Sequence, residues 1–67
     1  MAVIELNGET KQVSDDLTLS GLLELFSLPS QRVAIELNQQ VIRRKNWDET
    51  IVRDRDRIEV VHFVGGG

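Results

Sequence analysis

The last predicted strand of the chain reads Arg57-Ile58-Glu59-Val60-Val61-His62-Phe63-Val64. Branched and aromatic residues dominate this stretch, and such residues favour the extended backbone of a strand. Successive side chains of a strand point to opposite faces, so Ile58 and Val60 face one way and Glu59, Val61 and Phe63 the other. The stretch therefore predicts a strand with one face on the core and one unusually apolar outer face.

The beginning of the chain predicts a partner for this strand. Residues 2–7 alternate with Ile4 and Leu6 on one face, which indicates a second strand. Asn7-Gly8 is a strong signal for a two-residue hairpin, because both residues tolerate the positive φ of a type I′ turn. A further strand then runs back over residues 10–13. Because the first and last strands are both rich in branched apolar residues, we expect them to pair in parallel at the centre of the sheet.

A helix follows the hairpin. Its start is indicated by Asp15, Asp16 and Thr18, whose side-chain oxygens accept from free N–H groups at a helix N-terminus. One buried stripe with helical spacing follows, formed by Leu19, Leu22, Leu23 and Phe26. Gly21 weakens the helix slightly, and Pro29 is expected to close it.

The remaining segments complete the fold. Residues 33–37 alternate as a strand, Asn38-Gln39 forms a turn, and a short strand follows at residues 41–42. Residues 43–52 are expected to be irregular, with Trp47 and Ile51 as anchors, and residues 54–56 to form a turn. The order is β-β-α-β-β-β, an α+β domain over residues 1–64 with the helix packed on one face of a small mixed sheet. Residues 65–67 are expected to form a flexible tail.

The tail Gly65-Gly66-Gly67 carries the functional interpretation. Glycine has no Cβ, so it passes a narrow channel and leaves the terminal carbonyl open to attack. Residues 64–67 span roughly 13 Å when extended, enough to place the carboxylate of Gly67 inside the active site of another protein. A frayed chain end is the competing interpretation.

The outer face of the last strand predicts a docking surface for such a protein. Outward-facing Val61 and Phe63 are hard to explain as solvated residues, and exposed apolar residues often mark a binding site. Together with Val64, Gly65 and Gly66 they form the predicted partner-binding set. The alternative is that Phe63 folds over the sheet edge or that a neighbouring strand covers it.

Composition excludes several functions. Sixty-seven residues leave little stability for a deep catalytic cavity. The chain has no cysteine, which favours a reducing, cytoplasmic setting, and eleven acidic against eight basic residues make nucleic acid an unexpected partner. We expect no membrane segment, no signal peptide and no bound metal or cofactor. His62 is the one histidine, without a triad or ligand set around it, so the chain is expected not to be an enzyme.

Three blocks of sequence resemble the sulfur carrier proteins of thiamine biosynthesis. They are Asn38-Gln39-Gln40-Val41-Ile42 followed by Arg44 and Trp47, the run from Asp54 to Val61, and Gly66-Gly67. The resemblance covers essentially the whole chain and implies the β-grasp, ubiquitin-like fold. In relatives of this kind Arg43 is often replaced by proline and Arg55 by glycine, so these two positions depart from the family pattern.

The resemblance also implies a chemistry for Gly67. An adenylating, E1-like enzyme uses ATP to form an acyl-adenylate on the terminal glycine, and a sulfur donor such as a cysteine desulfurase converts it to a thiocarboxylate. Thiazole synthase then takes the sulfur. Such a carrier is a tethered co-substrate and a monomer when free.

Three alternatives stay open. They are the small subunit of molybdopterin synthase, a protein-modifying ubiquitin-like tag, and a non-catalytic β-grasp binding module with an incidental tail.

Overall fold

A computed structural model describes residues 1–63 as a five-stranded sheet carrying one helix. The strands are β1 (Ala2–Leu6), β2 (Glu9–Val13), β3 (Val33–Leu37), β4 (Gln40–Ile42) and β5 (Arg57–His62), and the helix is α1 (Leu19–Leu25). This is the predicted order β-β-α-β-β-β, and the α+β, β-grasp fold is confirmed. The predicted boundary between domain and tail, after residue 64, lies outside the described residues.

The first and last strands pair as predicted. The sheet order is β2-β1-β5-β3-β4, so β5 is central, parallel to β1 and antiparallel to β3. Asn7 extends the parallel pairing beyond the end of β1. Its N–H donates to the Ile58 carbonyl at 2.9 Å, and its side-chain Oδ1 accepts from the Val60 N–H at 2.8 Å.

The core lies between α1 and one face of the sheet. Its buried side chains are Ala2, Ile4, Leu6, Val13, Leu19, Leu22, Leu23, Val33, Ile35, Trp47, Val52 and Ile58. The alternation in each strand places its buried residues on the face towards α1, and burial of each large side chain contributes about 1.5–3 kcal/mol. The opposite face of the sheet, which we call the open face, carries no helix in the described residues.

Both hairpins use positive φ angles at their central residues. The first has φ 49° at Asn7 and 84° at Gly8, which confirms the predicted turn. The second, between β3 and β4, has φ 52° at Asn38 and 72° at Gln39. Such angles fit the right-handed twist of the strands, so both hairpins have the tight connections that the sequence predicted.

The helix begins as expected but ends differently. The Thr18 hydroxyl accepts from the Gly21 N–H at 3.0 Å, so Thr18 is the N-cap. Asp15 lies before the helix and instead pairs with the N-terminal ammonium group at 2.9 Å. Phe26 follows the helix as its C-cap and is half-buried, so the buried stripe is shorter than predicted.

The prediction that Pro29 closes the helix is wrong, because α1 ends at Leu25. Ser27 adopts a left-handed φ of 56°, its N–H donates to the Glu24 carbonyl, and the Leu28 N–H donates to the Leu23 carbonyl at 2.8 Å. These two bonds form a Schellman motif, which satisfies the last carbonyls of the helix before the proline is reached.

The segment expected to be irregular contains a short 3₁₀ helix, Arg44–Asn46. Trp47 is buried as predicted, and its indole N–H donates to the Ile42 carbonyl at 2.9 Å. The Arg44 guanidinium lies 4.6 Å from the centre of the Trp47 ring, a cation–π contact. Ile51 is half-buried and bridges to Thr18, so it too acts as an anchor.

No helix in residues 1–63 is long and apolar enough to cross a membrane, since α1 has only seven residues.

Ser27→Gly is expected to stabilise the domain. A left-handed φ costs an L-residue roughly 1–2 kcal/mol, and glycine removes this cost at the helix end. Part of the gain is lost because glycine is more flexible in the unfolded chain. We expect the midpoint of thermal unfolding to rise by about 4 °C. Glu24→Gly, inside α1, is the control and should lower the midpoint; a lower midpoint for Ser27→Gly contradicts the assignment.

Arg55→Gly is expected to stabilise the domain or leave it unchanged. Arg55 has φ 71°, and its N–H donates to the Val3 carbonyl at 2.7 Å, a bond that glycine keeps. Its ion pair with Asp54 spans 3.9 Å at an exposed position and contributes little. Arg53→Gly, two residues earlier and without a positive φ, should destabilise. Clear loss of stability in Arg55→Gly by thermal or urea unfolding would show the turn analysis to be wrong.

Candidate functional site

The base of the glycine tail is held by the centre of the sheet. β5 is hydrogen-bonded to β1 on one side and to β3 on the other. Beyond the end of β5 the Phe63 N–H donates to the Arg32 carbonyl at 2.7 Å. The backbone is therefore hydrogen-bonded up to residue 63, and the predicted tail begins two residues later, at Gly65.

The predicted docking residues Val61 and Phe63 are both exposed. Val61 exposes 44% of its surface and Phe63 54%, whereas Ile58 on the other face is fully buried and Val60 packs against the core. This confirms which way each side chain of the strand points. Since Phe63 exposes more than half of its surface, no neighbouring strand of the described residues covers it. That these residues bind a partner stays a prediction.

The other predicted site residues, Val64, Gly65, Gly66 and Gly67, lie outside the described residues. The attachment of an adenylate or a thiocarboxylate to Gly67 therefore stays a prediction.

The open face adds residues that the sequence did not single out. Val41 of β4 exposes 68% of its surface, and Ala34 of β3 lies directly opposite Val61 in the sheet. Glu36 of β3 lies opposite Glu59 of β5 and also opposite Val41. The alternation within β3 was the available signal that Ala34 and Glu36 face outward. Their neighbours became known only from the strand register.

The aspartates of the turn before β5 have structural roles. Asp54 accepts the Val3 N–H at 2.8 Å, and Asp56 accepts the Arg53 N–H at 2.7 Å. Asn38 links the β3–β4 turn to the start of β5: its Nδ2 donates to Asp56 at 3.0 Å and its Oδ1 accepts the Arg57 N–H at 2.9 Å. The family-like blocks around residues 38 and 54–57 are thus explained by the fold, because their side chains satisfy backbone groups where strands begin and end.

His62 lies exposed in β5. Within residues 1–63 no three histidine, cysteine, aspartate or glutamate side chains converge as metal ligands would. The chemically distinctive part of the described chain is therefore the exposed end of β5 and the open face beside it.

Comparison with known proteins gives a consistent picture. The model of the ThiS family matches residues 2–67. The chain is 39% identical over 66 residues to the sulfur carrier protein ThiS of Bacillus subtilis, covering 97% of this chain and 100% of that protein. The crystal structure of the thiamine biosynthesis protein ThiS from Geobacter metallireducens superposes with a TM-score of 0.85 at 32% identity, covering 97% of this chain and 99% of that one.

A third relative is longer. The thiazole synthase of Magnetococcus marinus is 41% identical over 64 residues, which are 96% of this chain but 20% of that protein. The chain thus spans about a fifth of the length of this relative.

The match of the family model runs through the end of β5 and the three terminal glycines, and the fold and the whole-length relative agree with it. The chain belongs to the ThiS family.

Proposed function

We propose that this protein is a sulfur carrier in thiamine biosynthesis, with the carboxylate of Gly67 as the point at which sulfur is attached. The observation that carries the proposal is the family match over residues 2–67, which includes every residue of the tail. The fixed end of β5 supports it, because a tail anchored at Phe63 enters a partner from a defined starting point.

The carboxylate of Gly67 is a poor electrophile, so the chemistry begins with its activation. A carboxylate oxygen of Gly67 attacks the α-phosphorus of ATP, pyrophosphate leaves, and a mixed anhydride with AMP forms. A sulfur nucleophile at the oxidation level of sulfide then attacks the carbonyl carbon and displaces AMP. The product is a thiocarboxylate, and with sulfide itself no electrons are gained or lost. When the donor is a persulfide, as on a cysteine desulfurase, its terminal sulfur displaces AMP to give an acyl disulfide. A thiol then cleaves the S–S bond, releases the thiocarboxylate and is itself oxidised to a disulfide.

The protein's own contribution is presentation rather than catalysis. Extended glycines pass through a narrow channel, and residues 64–67 reach roughly 13 Å beyond the fixed strand. The ATP is bound by an adenylating partner, so the carrier is a co-substrate. A thioacid ionises more readily than a carboxylic acid, so the loaded tail presents a nucleophilic sulfur.

Three partners follow from this chemistry: an adenylating enzyme, a sulfur donor such as a cysteine desulfurase, and thiazole synthase as acceptor. The Magnetococcus marinus relative supports the last, because a segment similar to this chain forms part of a protein named thiazole synthase. We place the carrier in the cytoplasm as a monomer between encounters.

The names of the relatives favour this pathway over its main competitor. Both the Bacillus subtilis and the Geobacter metallireducens proteins are named for sulfur transfer or thiamine biosynthesis. The small subunit of molybdopterin synthase would carry out the same tail chemistry, so the acceptor enzyme distinguishes the two.

Intact-mass analysis tests the tail chemistry. After incubation with the adenylating enzyme, ATP and a sulfur source, we expect the mass gain of one oxygen replaced by sulfur, located on Gly67 by fragmentation. A variant lacking Gly67 and a variant with one alanine added after it should show no gain, because neither presents the carboxylate at the right distance. Absence of the gain in the unmodified protein with a cognate enzyme would refute the proposal.

The docking role of β5 is tested by Phe63→Ser. Loss of the exposed ring from an interface is expected to raise the KM of the adenylating enzyme for the carrier roughly tenfold. Leu25→Ser is the matched control, since Leu25 is 57% exposed but lies on α1, away from the tail. Equal KM values for Phe63→Ser, Leu25→Ser and the unmodified carrier would place docking elsewhere.

A further inference from the structure

Two carboxylates face each other on the open face. Glu36 of β3 and Glu59 of β5 are direct cross-strand neighbours, and this Glu36–Glu59 pair has Cβ atoms roughly 5 Å apart by the geometry of antiparallel strands. Like charges in this arrangement destabilise a sheet. The salt bridges of the described residues all involve other acidic groups, so neither glutamate forms an ion pair within residues 1–63.

Protection of a sheet edge does not explain the pair. Charged residues often sit on edge strands, where they prevent pairing with other molecules. β5 and β3, however, are interior strands, each with a neighbour on both sides. The same face also shows the opposite arrangement: Glu5 lies opposite Arg57, and their side chains form a salt bridge of 3.5 Å. The repulsive pair is therefore specific to the half of the face nearer to the tail.

The pair is flanked by Arg57, two residues before Glu59 on the same face of β5, and by less polar residues on its other sides. Val41 lies beside Glu36 on the β4 side, and the next row towards the tail consists of Ala34 opposite Val61. Phe63 lies two residues beyond Val61, on the same face of the chain. A negative site bordered on its β4 and tail sides by apolar residues fits a partner surface on which a cation is surrounded by apolar side chains. Exclusion of water by the apolar border strengthens the charge interaction.

We propose that the Glu36–Glu59 pair receives an arginine side chain of the protein that docks beside the tail. The proposal rests on the proposed function, since it names the chemistry of the partner surface that the same strand contacts. A guanidinium has five N–H donors in a planar fork and so bridges two carboxylates at this spacing better than an ammonium group does. The repulsion between the glutamates in the free carrier is relieved when the partner binds.

This assignment predicts opposite effects on folding and on docking. Glu36→Gln keeps the shape of the side chain and removes one of the two charges. The midpoint of unfolding should rise or stay constant because the repulsion disappears. The KM of a docking partner should rise about tenfold, its kcat should stay within about twofold because the tail is intact, and the salt dependence of binding should weaken.

The experiment measures thiocarboxylate formation with the adenylating enzyme and sulfur transfer with thiazole synthase, each at low and high salt. Glu24→Gln, an equal charge change at an exposed position of α1, is the control and should leave both KM values unchanged. A raised KM in either assay for Glu36→Gln, with unimpaired stability, supports the proposal. Unchanged KM values in both assays, or a loss equal to that of Glu24→Gln, overturn it.

The outcome is distinguishable from failure of the proposed function. If the unmodified carrier forms no thiocarboxylate, the proposed function fails. If it forms the thiocarboxylate and Glu36→Gln does so with the same KM, only the arginine-binding role fails. A fall in the unfolding midpoint of Glu36→Gln would show that the glutamates stabilise the sheet, which also overturns the proposal.

Discussion

The parallel pairing of β1 with β5 is the constraint on which the rest of this structure depends. This pairing brings the first and last strands together inside the sheet. β2 then pairs with the other edge of β1, and β3 pairs with the other edge of β5. Asn7 strengthens the junction, because one residue is both the first member of the hairpin and a partner of two backbone groups of β5. Without this pairing the last strand would be an edge, and the segment that follows it would have no fixed origin.

A strand held in this way has one face in the core and one face exposed to solvent. Ile58 fills the space beneath α1, while Val61 and Phe63 present apolar surface to solvent. In the turn that leads into β5, single residues likewise make more than one contact. Asp56 and Asn38 satisfy backbone groups at the point where three segments meet, and Arg55 accepts a left-handed backbone there. These side-chain to backbone hydrogen bonds lie at the end of the sheet where β5 begins, whereas Val61 and Phe63 are exposed at the end where it finishes.

The open face shows a corresponding division of charge. At one end Glu5 and Arg57 neutralise each other, whereas nearer the tail Glu36 and Glu59 repel. A small domain has little stability to lose, so an unfavourable contact between two interior strands calls for a role outside folding. The proposed binding of a cationic partner group is such a role.

The sequence alone determined the fold class, the first hairpin, the direction of each side chain in β5, and the family with its glycine tail. These depend on local patterns: alternation, turn residues and short motifs whose meaning does not require distant partners. The end of α1 was not predictable in the same way, because Ser27 has no intrinsic preference for the left-handed backbone that ends the helix ahead of Pro29. The neighbours of Glu36 were decided by the tertiary structure alone. Residues 36 and 59 are brought together by the register between β3 and β5, and that register follows from packing the whole core rather than from either segment.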